Sequence, residues 1–231
     1  MPRKETCEYF DRLYEREKDV PSWGVGADRM LVQNLPVLER RNVAIDLGCG
    51  DGRNTLFLAR FGGFKKLIAL DASKGGILKM LRFAKELHLT GKIETVVSDM
   101  CKLNLGIDRY SLVVAAISLS FMRKQDSLKM ISKIKKAVEP GGGVFVSALN
   151  VLDPNFREIP KGHYHSFEMG CYTCYYELGE LRDLFSEDSN FIVIDYVDNY
   201  VLVDHIEKRW VGISAVFAKK PISAHTKKEN F

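Results

Sequence analysis

Val43-Ala44-Ile45-Asp46-Leu47-Gly48-Cys49-Gly50-Asp51-Gly52-Arg53-Asn54 decides how the rest of this chain is read. It begins as a short β-branched and aliphatic run, the composition of a buried strand, and passes through an acidic residue into three alternating glycines. Thr55-Leu56-Phe57-Leu58-Ala59-Arg60 then reads as the first turns of a helix. Strand, glycine turn and helix are the layout of a nucleotide site at the carboxyl end of a parallel sheet. The glycines allow a ligand to approach the backbone closely, and the helix start offers unpaired N–H groups.

Two nucleotide readings compete. A dinucleotide fingerprint requires glycine at its sixth position, and counting from Gly48 that position is Arg53. The Asp46-x-Gly48-x-Gly50 pattern instead resembles the S-adenosylmethionine loop of class I methyltransferases. That cofactor carries a zwitterionic methionine tail and no pyrophosphate. An acidic residue beside the turn suits its ammonium, and backbone amides suit its carboxylate.

Moving outward toward the C-terminus, Gly62-Gly63 breaks the helix and Lys65 to Asp71 forms the next strand, again ending in an acid. Asp71 lies about 25 positions after Asp46, where a carboxylate can accept ribose hydroxyls; capping a helix at Ala72-Ser73 is the plainer role. An amphipathic helix from Gly75 to about Leu89 is expected to stop with Gly91 at C′. Lys92 to Val97 is a third strand. It leads to Asp99, placed to accept an adenine amino group, and Met100, placed to pack on the ring. Tyr110 to Ile117 is near-continuously apolar, as in a central strand covered on both faces. Ser118 to Met122 follows where a substrate should sit. The helix from Lys124 to Val138 carries lysines at 129, 133, 135 and 136, either a solvated face or a nucleic-acid patch. Glu139-Pro140-Gly141-Gly142-Gly143 is expected to break the chain before a strand from Val144 to Leu149. This alternation predicts a doubly wound, mainly parallel α/β sheet.

Upstream, residues 5 to 18 place Tyr9, Phe10, Leu13 and Tyr14 on one helical face, and Trp23 and Gly24-Val25-Gly26 follow. The segment either packs on the core or closes over the ligand. Asp28 is suited to cap a helix from Arg29 to about Glu39. Residues 150 to 176 break the rhythm with Pro154, Pro160, His163-Tyr164-His165 and Cys171-Tyr172-Thr173-Cys174. Two histidines and two cysteines have zinc-type ligand chemistry. A soft substrate and simple packing among the tyrosines are the other two readings, and no resident metal is expected. A helix over 177–185 and strands over 191–203 and 210–218 complete one domain, residues 1–219. Residues 1–40 form its N-terminal helices and lid, 150–176 a substrate-side insertion, and 220–231 a flexible tail.

The 231 residues are 46% hydrophobic and 28% charged, an ordinary globular balance. A net charge of +4, from 34 basic and 30 acidic residues, gives no concentrated basic character, and nucleic acid is not the expected acceptor. No apolar run reaches membrane-spanning length and the first residues form no signal peptide. Five scattered cysteines suit a reducing compartment, so a cytoplasmic location is expected.

Asp46-x-Gly48-x-Gly50, Asp71, Asp99 and Pro140-Gly141-Gly142 fall in the order found in class I S-adenosylmethionine-dependent methyltransferases, which the chain resembles over roughly residues 40 to 150. Tyr9-Phe10, Tyr14-Glu15, the Gly48-to-Asn54 loop and Glu180-Leu181 are similar to the tellurite-resistance methyltransferase family. The resemblance implies a seven-stranded, Rossmann-like sheet whose last strands include an antiparallel one. It implies S-adenosyl-L-methionine as cofactor, held by Asp46, Gly48, Cys49, Gly50, Arg53, Asp71, Ala72, Asp99, Met100 and Ala116. His163, His165 and Arg53 are the candidates for a catalytic role. The expected activity is methyl transfer to a small acceptor such as an oxyanion or thiol, by a monomer or homodimer. An RNA or protein methyltransferase and an inactive cofactor-binding regulator are the alternatives.

Overall fold

In the computed structural model, which describes residues 2–158, 165–166, 171–203 and 210–222, the Val43–Leu47 run is a strand at the centre of the molecule. Before it stand α1 (Pro2–Arg16) and α2 (Arg29–Asn34). The run itself is β1, and α3 (Arg53–Phe61), β2 (Lys66–Asp71), α4 (Lys74–Glu86), β3 (Ile93–Val97) and β4 (Tyr110–Ala116) follow it. Next come α5 (Lys124–Ala137), β5 (Val138–Leu149) and the two-residue strands β6 (His165–Ser166) and β7 (Thr173–Cys174). The chain closes with α6 (Glu180–Ser186), β8 (Ile192–Val203) and β9 (Trp210–Lys219).

The main sheet has seven strands in the order β3-β2-β1-β4-β5-β9-β8. The first five are parallel, and β9 runs antiparallel between β5 and β8. Alternation along the strands divides the core in two. Ile45, Leu47, Val113 and Val144 face Met130, Ile131 and Ile134 of α5 and Leu181 and Phe185 of α6. Ala44, Leu67, Leu112 and Phe145 face Leu31, Leu58, Ile77 and Met80 of α2, α3 and α4. Strand order reverses between β1 and β4, and a ligand crevice opens at the carboxyl ends on either side of such a reversal.

Three local expectations need correction. The α-helix capped by Asp28 ends at Asn34, because Pro36 turns Leu35–Val37 into a 3₁₀ segment. Helix α4 ends before Gly91: His88 takes the left-handed C′ conformation at φ 55°. Its N–H bonds Lys85 O at 3.1 Å while Leu89 N–H bonds Ala84 O at 2.7 Å, a Schellman closure. Leu89 is buried, and its contact with the core is what favours that geometry over a glycine stop. Finally, Pro140-Gly141-Gly142 interrupts no strand. β5 starts directly after α5 and carries these residues as an irregularity, with a register shift against β4 between Tyr110 and Leu112.

Candidate ligand site at the β1–β4 crevice

The carboxyl ends of β1, β2, β3 and β4 open into one cavity of about 580 Å³. All ten residues expected to hold a cofactor line it: Asp46, Gly48, Cys49, Gly50, Arg53, Asp71, Ala72, Asp99, Met100 and Ala116. Gly48 and Cys49 both donate to Leu70 O, at 2.7 and 2.9 Å, which folds the loop back onto β2. Gly48 has φ 76°, and a Cβ there would overlap Ser118 Cβ. A Cβ on Gly50, at φ 55°, would overlap the Tyr14 hydroxyl. At both positions the left-handed backbone and the close neighbour together call for glycine.

The three strand-end acids differ in environment. Asp46 is buried and accepts from Thr55 Oγ1 at 2.7 Å. Burial lifts its carboxyl to about 6, with the Thr55 hydroxyl opposing and the nearby Asp71 reinforcing the shift. Asp71 accepts from Gly50 N at 2.7 Å and Ser73 N at 2.8 Å, so it organises the loop it faces. Burial raises its carboxyl and those N–H bonds pull it back. Asp99 accepts from Cys101 N at 2.9 Å. Asp46 and Asp71 retain acceptor capacity beyond these bonds, since a carboxylate has about four lone-pair directions.

Arg53, a catalytic candidate, reaches the cavity but lies 3.5 Å from Asp28 Oδ2. Asp28 caps α2 through Met30 N and donates its own N–H to Asn54 Oδ1 at 2.8 Å. The arginine thus ties the loop helix to the N-terminal region. His163 lies outside the described residues. His165 pairs through its backbone with Cys174 in the β6–β7 ladder, and its side chain lies outside the described set.

The N-terminal segment forms one wall, with Cys7, Phe10, Tyr14 and Trp23 lining the cavity. Asp11 fastens it to the start of α4, accepting from Ser73 Oγ at 2.6 Å and Gly75 N at 3.0 Å. Trp23 Nε1 donates to Tyr14 OH at 3.0 Å. Phe10 meets Phe121 edge to face at 4.8 Å, joining α1 to the turn after β4. The insertion joins the same wall through Tyr172 N, which donates to Thr6 Oγ1 at 3.2 Å.

Sequence reasoning passed over Asp11, Asp51 and Lys79, whose partners are distant in the chain and leave no local pattern. Cys171 and Cys174 are both buried; the first thiol lies 3.8 Å from Thr173 Oγ1 and the second donates to Leu119 O at 3.7 Å. Burial raises both, Cys174 to about 12, opposite to what a thiolate ligand needs. Among the described residues no cluster of metal-binding side chains forms. In the lysine-rich α5, Lys133 bonds the carbonyls of Cys101 and Leu103, and Lys135 pairs with Asp188. Among the described residues no helix is long and apolar enough to cross a membrane.

Residues 44–142 match a family of methyltransferase domains. Among curated proteins, the carboxy-S-adenosyl-L-methionine synthase of Photorhabdus laumondii is 25% identical over 165 residues, 70% of this chain and 60% of that protein. The mitochondrial ubiquinone biosynthesis O-methyltransferase of Dictyostelium discoideum is 31% identical over 149 residues, 57% of this chain and 46% of that protein. The chain therefore spans about 60% or less of the length of these relatives. Among solved structures, TehB of Haemophilus influenzae superposes with a TM-score of 0.66 at 18% identity, covering 93% of this chain and 67% of TehB. The methyltransferase bound to the Haloferax volcanii Trm112 activator gives 0.68 at 15% identity, covering 95% and 99%. These likenesses show the Rossmann-like methyltransferase fold. Residues 44–142 are thus similar to methyltransferase domains, a likeness that makes S-adenosylmethionine the group to compare with the site. The chemistry of the lining suits that group: its glycines leave room for a ligand against the backbone, and three carboxylates, Asp46, Asp71 and Asp99, line the cavity as acceptors.

Proposed function

We propose that this chain, whose residues 44–142 match methyltransferase domains, is an S-adenosylmethionine-dependent methyltransferase acting on a small acceptor. The observation that carries the reading is the convergence of three strand-end carboxylates and the glycine loop on a single cavity of about 580 Å³, walled by α1. Ligand sites typically fall between about 300 and 1,000 Å³, so a nucleoside-sized cofactor leaves room for little more than a small acceptor. Asp71 takes the ribose hydroxyls, Asp99 the adenine amino group, Met100 the ring face, and Asp46 the charge of the methionine ammonium.

The cofactor supplies a methyl group already activated on a sulfonium. The protein's part is to align the acceptor with it and exclude water. Phe10, Phe121, Met122 and Trp23 contribute apolar surface to the cavity lining for this. A general base is needed only when the acceptor must lose a proton. Within the class, a tellurite-resistance type of enzyme is supported by the Tyr9-Phe10 and Tyr14-Glu15 start and by the TehB-like fold. On that resemblance we put oxyanions and thiols first among the acceptors to be tried.

Calorimetric titration with S-adenosylmethionine, S-adenosylhomocysteine and NAD tests the reading. Micromolar binding of the two adenosyl compounds alone is expected. Release of adenosylhomocysteine with tellurite, selenite or small thiols then identifies the acceptor class. Binding of NAD alone would overturn the proposal.

A further inference from the structure

Ser118 follows β4 at the switch point of the sheet and lines the cavity. The residue is 9% exposed, its Oγ is shielded from solvent, and that oxygen has no hydrogen-bond partner among the described residues. The other such buried side-chain atom is a carboxylate oxygen of Glu17, which does not line the cavity. A buried hydroxyl left unbonded forfeits its hydration with nothing in return, so a persistent one in a ligand cavity marks a contact that the ligand completes.

Its placement is fixed by the backbone. Ile117 sits at φ 60°, a strained conformation for a β-branched residue. Its N–H is held by Ser147 O at 2.8 Å and Ser147 Oγ at 3.1 Å, and its carbonyl accepts from Ser120 N at 2.8 Å. The turn delivers Ser118 against the first glycine of the loop: a Cβ on Gly48 would lie 3.1 Å from Ser118 Oγ. Asp71 ends β2 and Asp99 follows β3, on the other side of β1. A ligand with its nucleoside over those strands brings the opposite end, its amino-acid tail, to the β1–β4 crevice.

Building on the methyltransferase reading, we propose that Ser118 Oγ accepts a hydrogen bond from the α-ammonium of the cofactor's methionine tail. Asp46 supplies the opposing charge from two residues before Gly48. Ser118 supplies direction, and with it selectivity for adenosyl ligands that bear the amino-acid tail over those that lack it.

The test uses Ser118→Ala with S-adenosylmethionine, S-adenosylhomocysteine and tail-less 5′-methylthioadenosine in calorimetric titrations, together with ligand-free thermal melts. Affinity for the two tailed compounds should fall about tenfold, as for loss of a charge-assisted hydrogen bond. Affinity for 5′-methylthioadenosine should not change. The ligand-free variant should melt no lower than the wild type, because an unbonded buried hydroxyl has been removed. Equal weakening of all three compounds, unchanged affinity for the tailed pair, or a lower ligand-free melting temperature would each overturn the assignment. A wild-type protein that binds none of the three refutes the methyltransferase reading itself, a result obtained before the variant is made.

Discussion

Lys79 Nζ lies 3.1 Å from Asp51 Oδ2, and both side chains are buried. Lys79 comes from α4 and Asp51 from the glycine loop. Between them they also hold Ser22, whose N–H donates to Asp51 at 2.6 Å and whose hydroxyl accepts from Lys79 at 2.7 Å. The pair fastens the segment after α1 to the loop that forms the floor of the cavity.

Removing one partner of a buried ion pair leaves the other charge without compensation, at a cost of about 3–5 kcal/mol. Lys79→Met should fall near the lower figure, since Asp51 keeps the Ser22 N–H. It should also speed the exchange of bound adenosylhomocysteine by loosening the wall above it. Urea unfolding and stopped-flow release check the two effects. A loss of less than about 1 kcal/mol would place the pair among solvent-screened ones.

The ribose role proposed for Asp71 carries a double signature. Asp71→Ala removes the acceptor from any ribose and also strands the N–H groups of Gly50 and Ser73. Affinity for S-adenosylmethionine should fall at least tenfold, and stability by about 1–3 kcal/mol. Asp71→Asn retains one acceptor oxygen and should fall between the variant and the wild type in both measurements. Unchanged affinity in the Ala variant would remove the ribose assignment.

Much of the fold could be read because it rests on local pattern. The β1 run, the acid at each strand end and the apolar β4 announce a parallel sheet by composition alone, and all ten cofactor candidates reach the cavity. What escaped depends on contacts between distant residues. Nothing around His88 signals a left-handed residue; the burial of Leu89 beyond it decides the helix end. Pro140-Gly141-Gly142 reads as a chain break, yet pairing of Gly141 and Gly142 with Lys220, far along the chain, keeps it in the sheet. Asp11, Lys79 and Ser118 look like ordinary helix and turn residues until the partners of the first two, and the missing partner of the third, are seen.

Two glycines give a direct contrast. Gly48→Ala must adopt φ 76° and drive a methyl into Ser118. The left-handed backbone costs about 1–2 kcal/mol and overpacking adds about 1–3. A large fall in melting temperature and loss of cofactor binding are expected. Gly91 has no such φ, and a Cβ there meets nothing within 4 Å. Gly91→Ala should stay within about 0.5 kcal/mol of wild type. Similar melting temperatures for the two variants would contradict the loop geometry.

Asp46 makes ligand-free stability depend on pH. Its carboxyl is raised from an ordinary 3.8 to about 6, so between these values the native state holds a proton that the unfolded chain has released. Stability therefore falls as pH rises through that window and levels off above about 6, with a span of roughly 3 kcal/mol from the shift. Asp28 and Asp71 are raised as well, so Asp46→Asn provides the comparison that isolates this group. In urea titrations from pH 4 to 7, wild type should lose stability relative to Asp46→Asn, with the difference constant above about pH 6.5. A ligand ammonium beside Asp46 favours the ionised carboxylate. Affinity for S-adenosylmethionine should then rise with pH across the same window, with protons released on binding below pH 6. Calorimetry in two buffers of different ionisation enthalpy measures that release. A wild-type stability profile parallel to that of the variant would show that Asp46 is already ionised at pH 4, and would remove it as the group that senses the ligand's charge.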